Sequence, residues 1–409
     1  MSIFQNEDEM QLWIEEVMED SEGLGESIVD FELIIDYIPR NYFEKKIKES
    51  YQHCYPSLML TELLTKNENI SSSKGDVLKP DIIAYATERE SIVLIELKNI
   101  SGPSRQAGTE LSAYSGELKG YLSHLSDGDI INVIVSPIWP TLLKHYIFNN
   151  IVWQNKNMIC LEPCIVNGVI KLKPLEISTL IQAETPLQFS SDHLSGYHIC
   201  LYDNSQYARQ NVRKPTKLHS QIEVIKSTLS RMASEGEKEN GHGFLILTKE
   251  NKIGGYGLAP YMITLVNVAP FSSIERYFHD ENIKTYEDLP MIGQKFYGIY
   301  TYFQPNGMGT STSKIFNSGK RYLKEICRPT IESINTWRTL KLEIHSKRNE
   351  AIYFESWGIF KEKTTEMLFE KYSNNEYDYT LNSISLGFEV IEQLIDENYE
   401  FIHLPPVKP

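Results

Sequence analysis

The sequence predicts an α/β protein, with a mixed sheet flanked by helices over residues 1–185 and an α+β half over residues 186–409. Three observations predict it. Two β-type runs, 80–86 and 91–98, are separated by Thr87-Glu88-Arg89-Glu90 and read as a hairpin. The following segment, 104–125, sets Leu111, Tyr114, Leu118, Tyr121, Leu122 and Leu125 at helical spacing. Residues 130–137 then form a continuous apolar run of the kind found in strands buried on both faces. Hairpin, helix and buried strand in that order build a sheet with helices on its faces.

The other elements follow in order. Over 6–20, Met10, Trp13, Ile14, Val17 and Met18 give an amphipathic first helix, and a second helix is predicted over 41–51. After Pro56, residues 57–65 suit a strand or a short helix, and 67–79, rich in Ser, Asn, Gly and Asp, is a loop. A helix over 139–149 and strands over 151–161 and 169–172 complete the first half. The less regular stretch 184–217 is the expected domain boundary. Beyond it, strands are expected at 243–248, 261–268 and 296–303, then helices at 313–327, 360–372 and 385–399.

At 409 residues the chain exceeds the ~100–200 residues of one domain, so two cores are expected. No apolar run reaches the ~18–20 residues needed to span a bilayer, and the acidic start lacks the basic region of a secretory leader. Five cysteines, an odd number, form no disulfide framework. Cys160 and Cys164 lack the second Cys/His pair of a zinc tetrahedron and read as core thiols. An intracellular, cytoplasmic protein is expected. The net charge of −15 opposes a nucleic-acid partner, but it is unevenly spread: from Glu7 to Asp36 there is no Lys or Arg. Elsewhere stand the basic clusters Arg40/Lys45/Lys46/Lys48, Arg209/Arg213/Lys214/Lys217 and Lys314/Lys320/Arg321/Lys324, each of which defaults to a solvated face.

The hairpin carries the chemistry. If its loop is 87–90, Ala86 pairs with Ser91, and counting outward sets Asp81 opposite Glu96. Their Cβ atoms then lie ~4.5–5.5 Å apart on one face, and Lys98 shares that face because the strand period is two. Ile83, Tyr85, Ile92 and Leu94 lie deeper on it, so the ionisable groups stand at the rim of an apolar surface. Two opposed carboxylates repel unless one is protonated or a cation lies between them. Mg²⁺ suits such a pair and keeps waters for phosphodiester hydrolysis. The plainer alternative is a Glu96–Lys98 salt bridge with Asp81 capping a turn.

Pro80-Asp81, fourteen residues, and then Glu96-Leu97-Lys98 resemble the signature of the PD-(D/E)XK nuclease superfamily. The element order resembles its restriction-endonuclease-like core, over roughly the first 140 to 160 residues. The resemblance implies Asp81 and Glu96 as metal ligands, with the Leu97 carbonyl as a further one, Lys98 as the catalytic lysine, and Mg²⁺, or alternatively Mn²⁺, as cofactor. Some branches place a Gln early in the next helix and a Tyr four residues later; Gln106 matches the first, whereas position 110 is Glu110, with Tyr114 one turn further. Many members also supply an acid from the first helix, for which Glu9 and Glu16 are candidates. The implied function is a Mg²⁺-dependent DNA endonuclease, in restriction or anti-phage defence, acting as a dimer or other homo-oligomer. RNA is an alternative substrate, and a catalytically silent nucleic-acid-binding or sensor protein is the alternative class. The C-terminal half would serve recognition, regulation or oligomerisation.

Other features point elsewhere only weakly. His198 and His242 lack spaced partners and default to core or loop residues. Gly254-Gly255-Tyr256-Gly257 has no Lys-Ser/Thr after it, so no phosphate loop is expected. Phe296, Tyr297, Tyr300, Tyr302 and Phe303 are expected to line a sheet face rather than stack bases.

Overall fold

The computed structural model describes residues 3–20, 23–73, 75–99, 105–181, 191–203, 217–250, 259–269, 285–303, 309–346 and 349–395. The chain divides into two compact units, Met1–Pro186 and Leu187–Pro409. The first is α/β with a mixed sheet, and the second is α+β with an antiparallel one.

The first unit begins with α1 (Glu7–Asp20), α2 (Glu32–Ile35) and α3 (Tyr42–Cys54). The strands are β1 (Thr61–Lys66), β2 (Ile82–Ala86), β3 (Ser91–Leu97), β4 (Ile130–Val135), β5 (Met158–Val166) and β6 (Val169–Pro174). Helix α4 (Arg105–Tyr121) connects β3 to β4, α5 (Thr141–Phe148) connects β4 to β5, and α6 (Ile177–Leu180) follows β6. Strand order is β1-β2-β3-β4-β5-β6; β3, β4 and β5 are parallel, and the remaining pairings are antiparallel. Parallel neighbours need a covered crossover, and two helices supply it. Every residue of β3 is buried, as expected of a central strand with both faces covered.

Helix α1 buries Met10, Ile14 and Met18, a 4-4 stripe, into the core shared with Ile47, Tyr51, Leu94 and Ile134. Helix α3 starts at Asn41, whose side chain accepts the Glu44 N–H at 3.0 Å, while the almost fully buried Glu44 pairs with Arg40 at 2.8 Å. Asn41→Ala removes that cap and is expected to lower stability by about 1 kcal/mol in urea unfolding. An unchanged midpoint would show that the Glu44–Arg40 contact fixes the helix start alone. Residues 151–153, expected in a strand, instead continue α5 as a π-helical turn, Asn149–Trp153, in which Ile151 and Val152 are buried. Tyr121 and Leu122, expected on the buried stripe of α4, are exposed because the helix ends as it leaves the sheet.

Among the described residues, the second unit is a five-stranded antiparallel sheet between two helix layers. Its elements are β7 (Leu194–Tyr202), α7 (Ile222–Lys238), β8 (Gly243–Glu250), β9 (Tyr261–Val268), α8 (Met291–Phe303), α9 (Thr310–Ile326), β10 (Arg328–Thr336), α10 (Trp337–Ile344), β11 (Asn349–Trp357), α11 (Ile359–Ser373) and α12 (Ile384–Leu394). Strand order is β10-β7-β9-β8-β11. On one face Tyr197, Ile199, Leu245 and Ile263 pack with Leu229 and Met232 of α7 and Ile315 and Leu323 of α9. On the other, Phe244 meets Trp337 of α10 and Phe360 of α11 edge-on.

Residues 296–303, expected as a strand, belong to helix α8. Pro290 stands before its first residue, where a ring costs no hydrogen bond, and its carbonyl accepts from Gln294 N at 2.9 Å. Tyr297 packs on Leu289 and Tyr286, a contact that outweighs the β preference of the aromatics. The Gly254–Gly257 run, Arg209, Arg213 and Lys214 lie outside the described residues. Among the described residues, no helix is long and apolar enough to cross a membrane.

Candidate active site at the end of strand β3

The hairpin register is Ala86↔Ser91 through Ile82↔Ile95. The ladder stops one residue short of an Asp81–Glu96 pair, and the Asp81 side chain takes over: its Oδ2 accepts the Leu97 N–H at 2.7 Å. The Asp81 carbonyl accepts from Asn67 N at 3.0 Å and from Gln11 Nε2 at 3.3 Å, which fixes the residue from β1 and α1. In a strand the N–H and C=O of one residue point to the same side, so the Leu97 carbonyl is directed toward the side on which Asp81 lies. Lys98 N bonds Val135 O at 3.0 Å, extending the β3–β4 pairing past Glu96.

Glu96 is 2% exposed and lies in register with Ile134 and Cys160 across the parallel strands. Lys98 Nζ lies 2.5 Å from Glu96 Oε1 and 3.2 Å from Glu110 Oε2, which comes from α4. The other Glu96 oxygen, Oε2, is buried and meets no donor among the described residues. Glu7, at the start of α1, accepts the Asn99 N–H at 2.8 Å and adds its charge beside Asp81.

Two carboxylates, Glu96 and Glu110, thus share one ammonium, and the Asp81 charge acts on it from farther away. Burial pushes the Asp81 carboxyl up to about 6, against the opposing effects of the Leu97 N–H and Lys98. Burial, then the Asp81 charge, pushes Glu96 to about 9. The 2.5 Å contact pairs Lys98 with Glu96 Oε1, while burial and the Asp81 charge oppose ionisation of the Glu96 carboxyl. Burial favours a neutral Lys98, but Glu96, Glu110 and Asp81 together outweigh it and hold its pKa above the usual lysine value.

A buried acceptor that meets no donor among the described residues is what a hard cation would satisfy, so the donor set fits Mg²⁺ or Mn²⁺. Among the described residues, no three His, Cys, Asp or Glu side chains are arranged to hold a metal ion by themselves. The oxygen donors that the strand ends bring together are the Asp81 and Glu96 carboxyls and the Leu97 carbonyl.

Comparisons with protein families, with characterised proteins and with solved structures give no match.

The structure brings Asp81, Glu96 and Lys98 together and adds Glu110 and Glu7, which sequence reasoning had not assigned to the site. Gln106 lies in the first turn of α4, and its side chain lies outside the described residues. Glu9 and Glu16 are exposed, and Glu9 accepts from Gln5 N; the first-helix acid whose charge acts on Asp81 is Glu7. The helix turns the Met10–Ile14–Met18 stripe inward, and Glu7 continues that stripe one turn earlier, whereas Glu9 and Glu16 point away from it. The plainer alternative is also partly realised, since Asp81 caps β3 and Glu96 pairs with Lys98.

The remaining candidates are structural. Cys160 is buried and Cys164 half-buried, both free thiols. His242 Nδ1 accepts from Ile359 N at 3.3 Å. His198 is buried and has a partner that its sequence surroundings do not reveal, Glu343 Oε2 at 2.7 Å from Nδ1. Within the basic clusters, Arg40 pairs with Glu44, Lys48 donates to Tyr37 O, Lys314 pairs with Glu239 and Lys320 lies over the Phe316 ring.

Proposed function

We propose that the first unit is a divalent-metal-dependent nuclease with a restriction-endonuclease-like core, and that the protein is a DNA endonuclease acting in restriction or anti-phage defence. The observation that carries this is Glu96 Oε2, a buried carboxylate oxygen that meets no donor among the described residues, beside the half-buried Asp81 carboxylate and a charged lysine. Asp81, Glu96 and the Leu97 carbonyl would hold Mg²⁺, or Mn²⁺ in its place. When bound, such an ion lowers the pKa of its water and neutralises phosphate charge.

The chain's own groups supply the rest. Lys98 stays protonated among its carboxylates and offers an ammonium to oxygens on which charge develops. The apolar floor, Ile83, Ile92 and Leu94, keeps the local dielectric low and strengthens each of these interactions. Glu7, bound to the Asn99 amide, fixes the backbone immediately after Lys98. Cutting both strands calls for two sites, so a homodimer is part of the proposal, with the second unit in recognition, regulation or oligomerisation.

A catalytically silent nucleic-acid-binding or sensor protein is favoured by one observation: Asp81 and Glu96 already have structural uses, in the Leu97 amide and the Lys98 ion pair. Incubation with linear duplex DNA, single-stranded DNA and RNA, with Mg²⁺ or with EDTA, separates the two. Mg²⁺-dependent cuts in duplex DNA are expected. Cleavage confined to RNA would reassign the polymer, and binding without cleavage would leave the silent protein.

The cation competes with the proton that Glu96 holds up to about pH 9. Mn²⁺ affinity, measured by calorimetry, is therefore expected to rise from pH 6 to pH 9, by up to about tenfold per pH unit. A flat profile would remove Glu96 from the cation site.

A further inference from the structure

We propose that Glu110 is the positioning residue for Lys98: it takes over the ammonium when a divalent cation occupies Glu96, so that ion entry and placement of the lysine are one exchange. This rests on the nuclease reading of the site. Lys98 Nζ is shared between Glu96 Oε1 at 2.5 Å and Glu110 Oε2 at 3.2 Å. It thus stands as a resident cation on the carboxylate that a metal ion would use. A divalent ion on Glu96 repels an ammonium on the same carboxylate, and a lysine that is only 22% exposed has little water to receive it. Some other anion must hold it within the reach of one side chain.

Glu110 meets that need. It belongs to α4 rather than to the hairpin, its side chain is 31% exposed, and it already touches the ammonium. It can therefore hold Lys98 from a second element, and because it also faces Glu96, a double-mutant cycle is needed to separate holding the ammonium from binding the ion directly. The exchange leaves Lys98 charged and beside the cation instead of blocking it. It also gives a physical reason for an acid at position 110, where some branches of the superfamily carry a tyrosine.

Mn²⁺ alone, titrated calorimetrically into the full chain, tests this in a double-mutant cycle, with thermal unfolding as a folding control. Lys98→Met is expected to bind Mn²⁺ more tightly than wild type, because the competing ammonium is gone. Glu110→Gln is expected to bind about tenfold more weakly, because Lys98 then has only Glu96 to hold. In the Lys98→Met background the same change should alter affinity by less than about threefold. An unchanged affinity for Glu110→Gln, or an equal loss in both backgrounds, would overturn the exchange while leaving the cation site standing; the second result would make Glu110 a direct ligand. No Mn²⁺ binding by either wild type or Lys98→Met would overturn the nuclease reading itself, and the exchange with it.

Discussion

Glu96→Gln is expected to make the metal-free protein more stable at pH 8 while abolishing cleavage. In the fold, the Glu96 carboxyl titrates at about 9 and Asp81 at about 6, against ordinary values of 4.5 and 3.8. The folded chain therefore keeps protons that the unfolded chain has released. Their stabilising contribution is fully present below about pH 4 and is lost as the pH rises, first through about 6 and then through about 9. At pH 8 wild type carries a penalty that the neutral amide lacks, on the order of 2 kcal/mol after discounting the loss of the Lys98 contact. Catalysis moves the opposite way, because an amide is a poor ligand for a hard cation, and a loss of about 10³-fold or more is expected. Urea unfolding in EDTA at pH 5 and pH 8, beside a plasmid assay, reads both quantities. A variant less stable than wild type at pH 8 would make Glu96 a structural ion-pair partner. Opposed effects on stability and activity are the signature of a site kept strained for function.

Gly196→Ala is expected to produce the largest loss of stability in the second unit. Gly196 lies in β7 opposite Val266 of β9, and a Cβ there would fall 1.8 Å from the Leu265 carbonyl oxygen and 2.9 Å from the Val266 Cα. Both are backbone atoms in the middle of a sheet, so neither can yield without separating the strands. A cost above about 3 kcal/mol is expected, read as an early urea transition and proteolysis of the 187–409 unit. Gly116→Ala in α4 is the control: nothing lies within 4 Å of its added Cβ, and better helix propensity should stabilise by about 0.5–1 kcal/mol. A Gly196→Ala protein as stable as wild type would mean that β7 and β9 are not paired in this register.

The parts of the fold that could be read from the sequence are those with an unbroken period. The hairpin register followed from counting outward from a four-residue loop, and it sets Asp81 and Glu96 at adjoining strand ends. Glu7 was legible in principle, because it extends the Met10–Ile14–Met18 stripe by one turn, but only the stripe and not the nearest acid selects it. Glu110 was less so. It shares a helix face with Gln106 by spacing, yet its contact with Lys98 depends on how α4 leaves β3, and no local pattern encodes that crossover. Strand β7 was hidden because Gly196, His198 and Cys200 break its apolar run on the face where α10 supplies Glu343 to the histidine. Strand β10 is an edge strand with polar residues along most of its length, and an edge leaves little hydrophobic signal. Helix α8 was misread because aromatic content favours a strand locally, while Pro290 and the Tyr297 contact decide for a helix.

The central claim is that Asp81, Glu96 and Lys98 form a metal-dependent phosphodiesterase site. Its most direct test is conversion of supercoiled plasmid to nicked and linear forms by the full chain, with Mg²⁺ or EDTA, wild type beside Lys98→Ala of confirmed fold. Cleavage by wild type that needs Mg²⁺ and falls about 10²–10³-fold in the variant is the predicted result. Equal conversion by both proteins, or conversion that persists in EDTA, would contradict it.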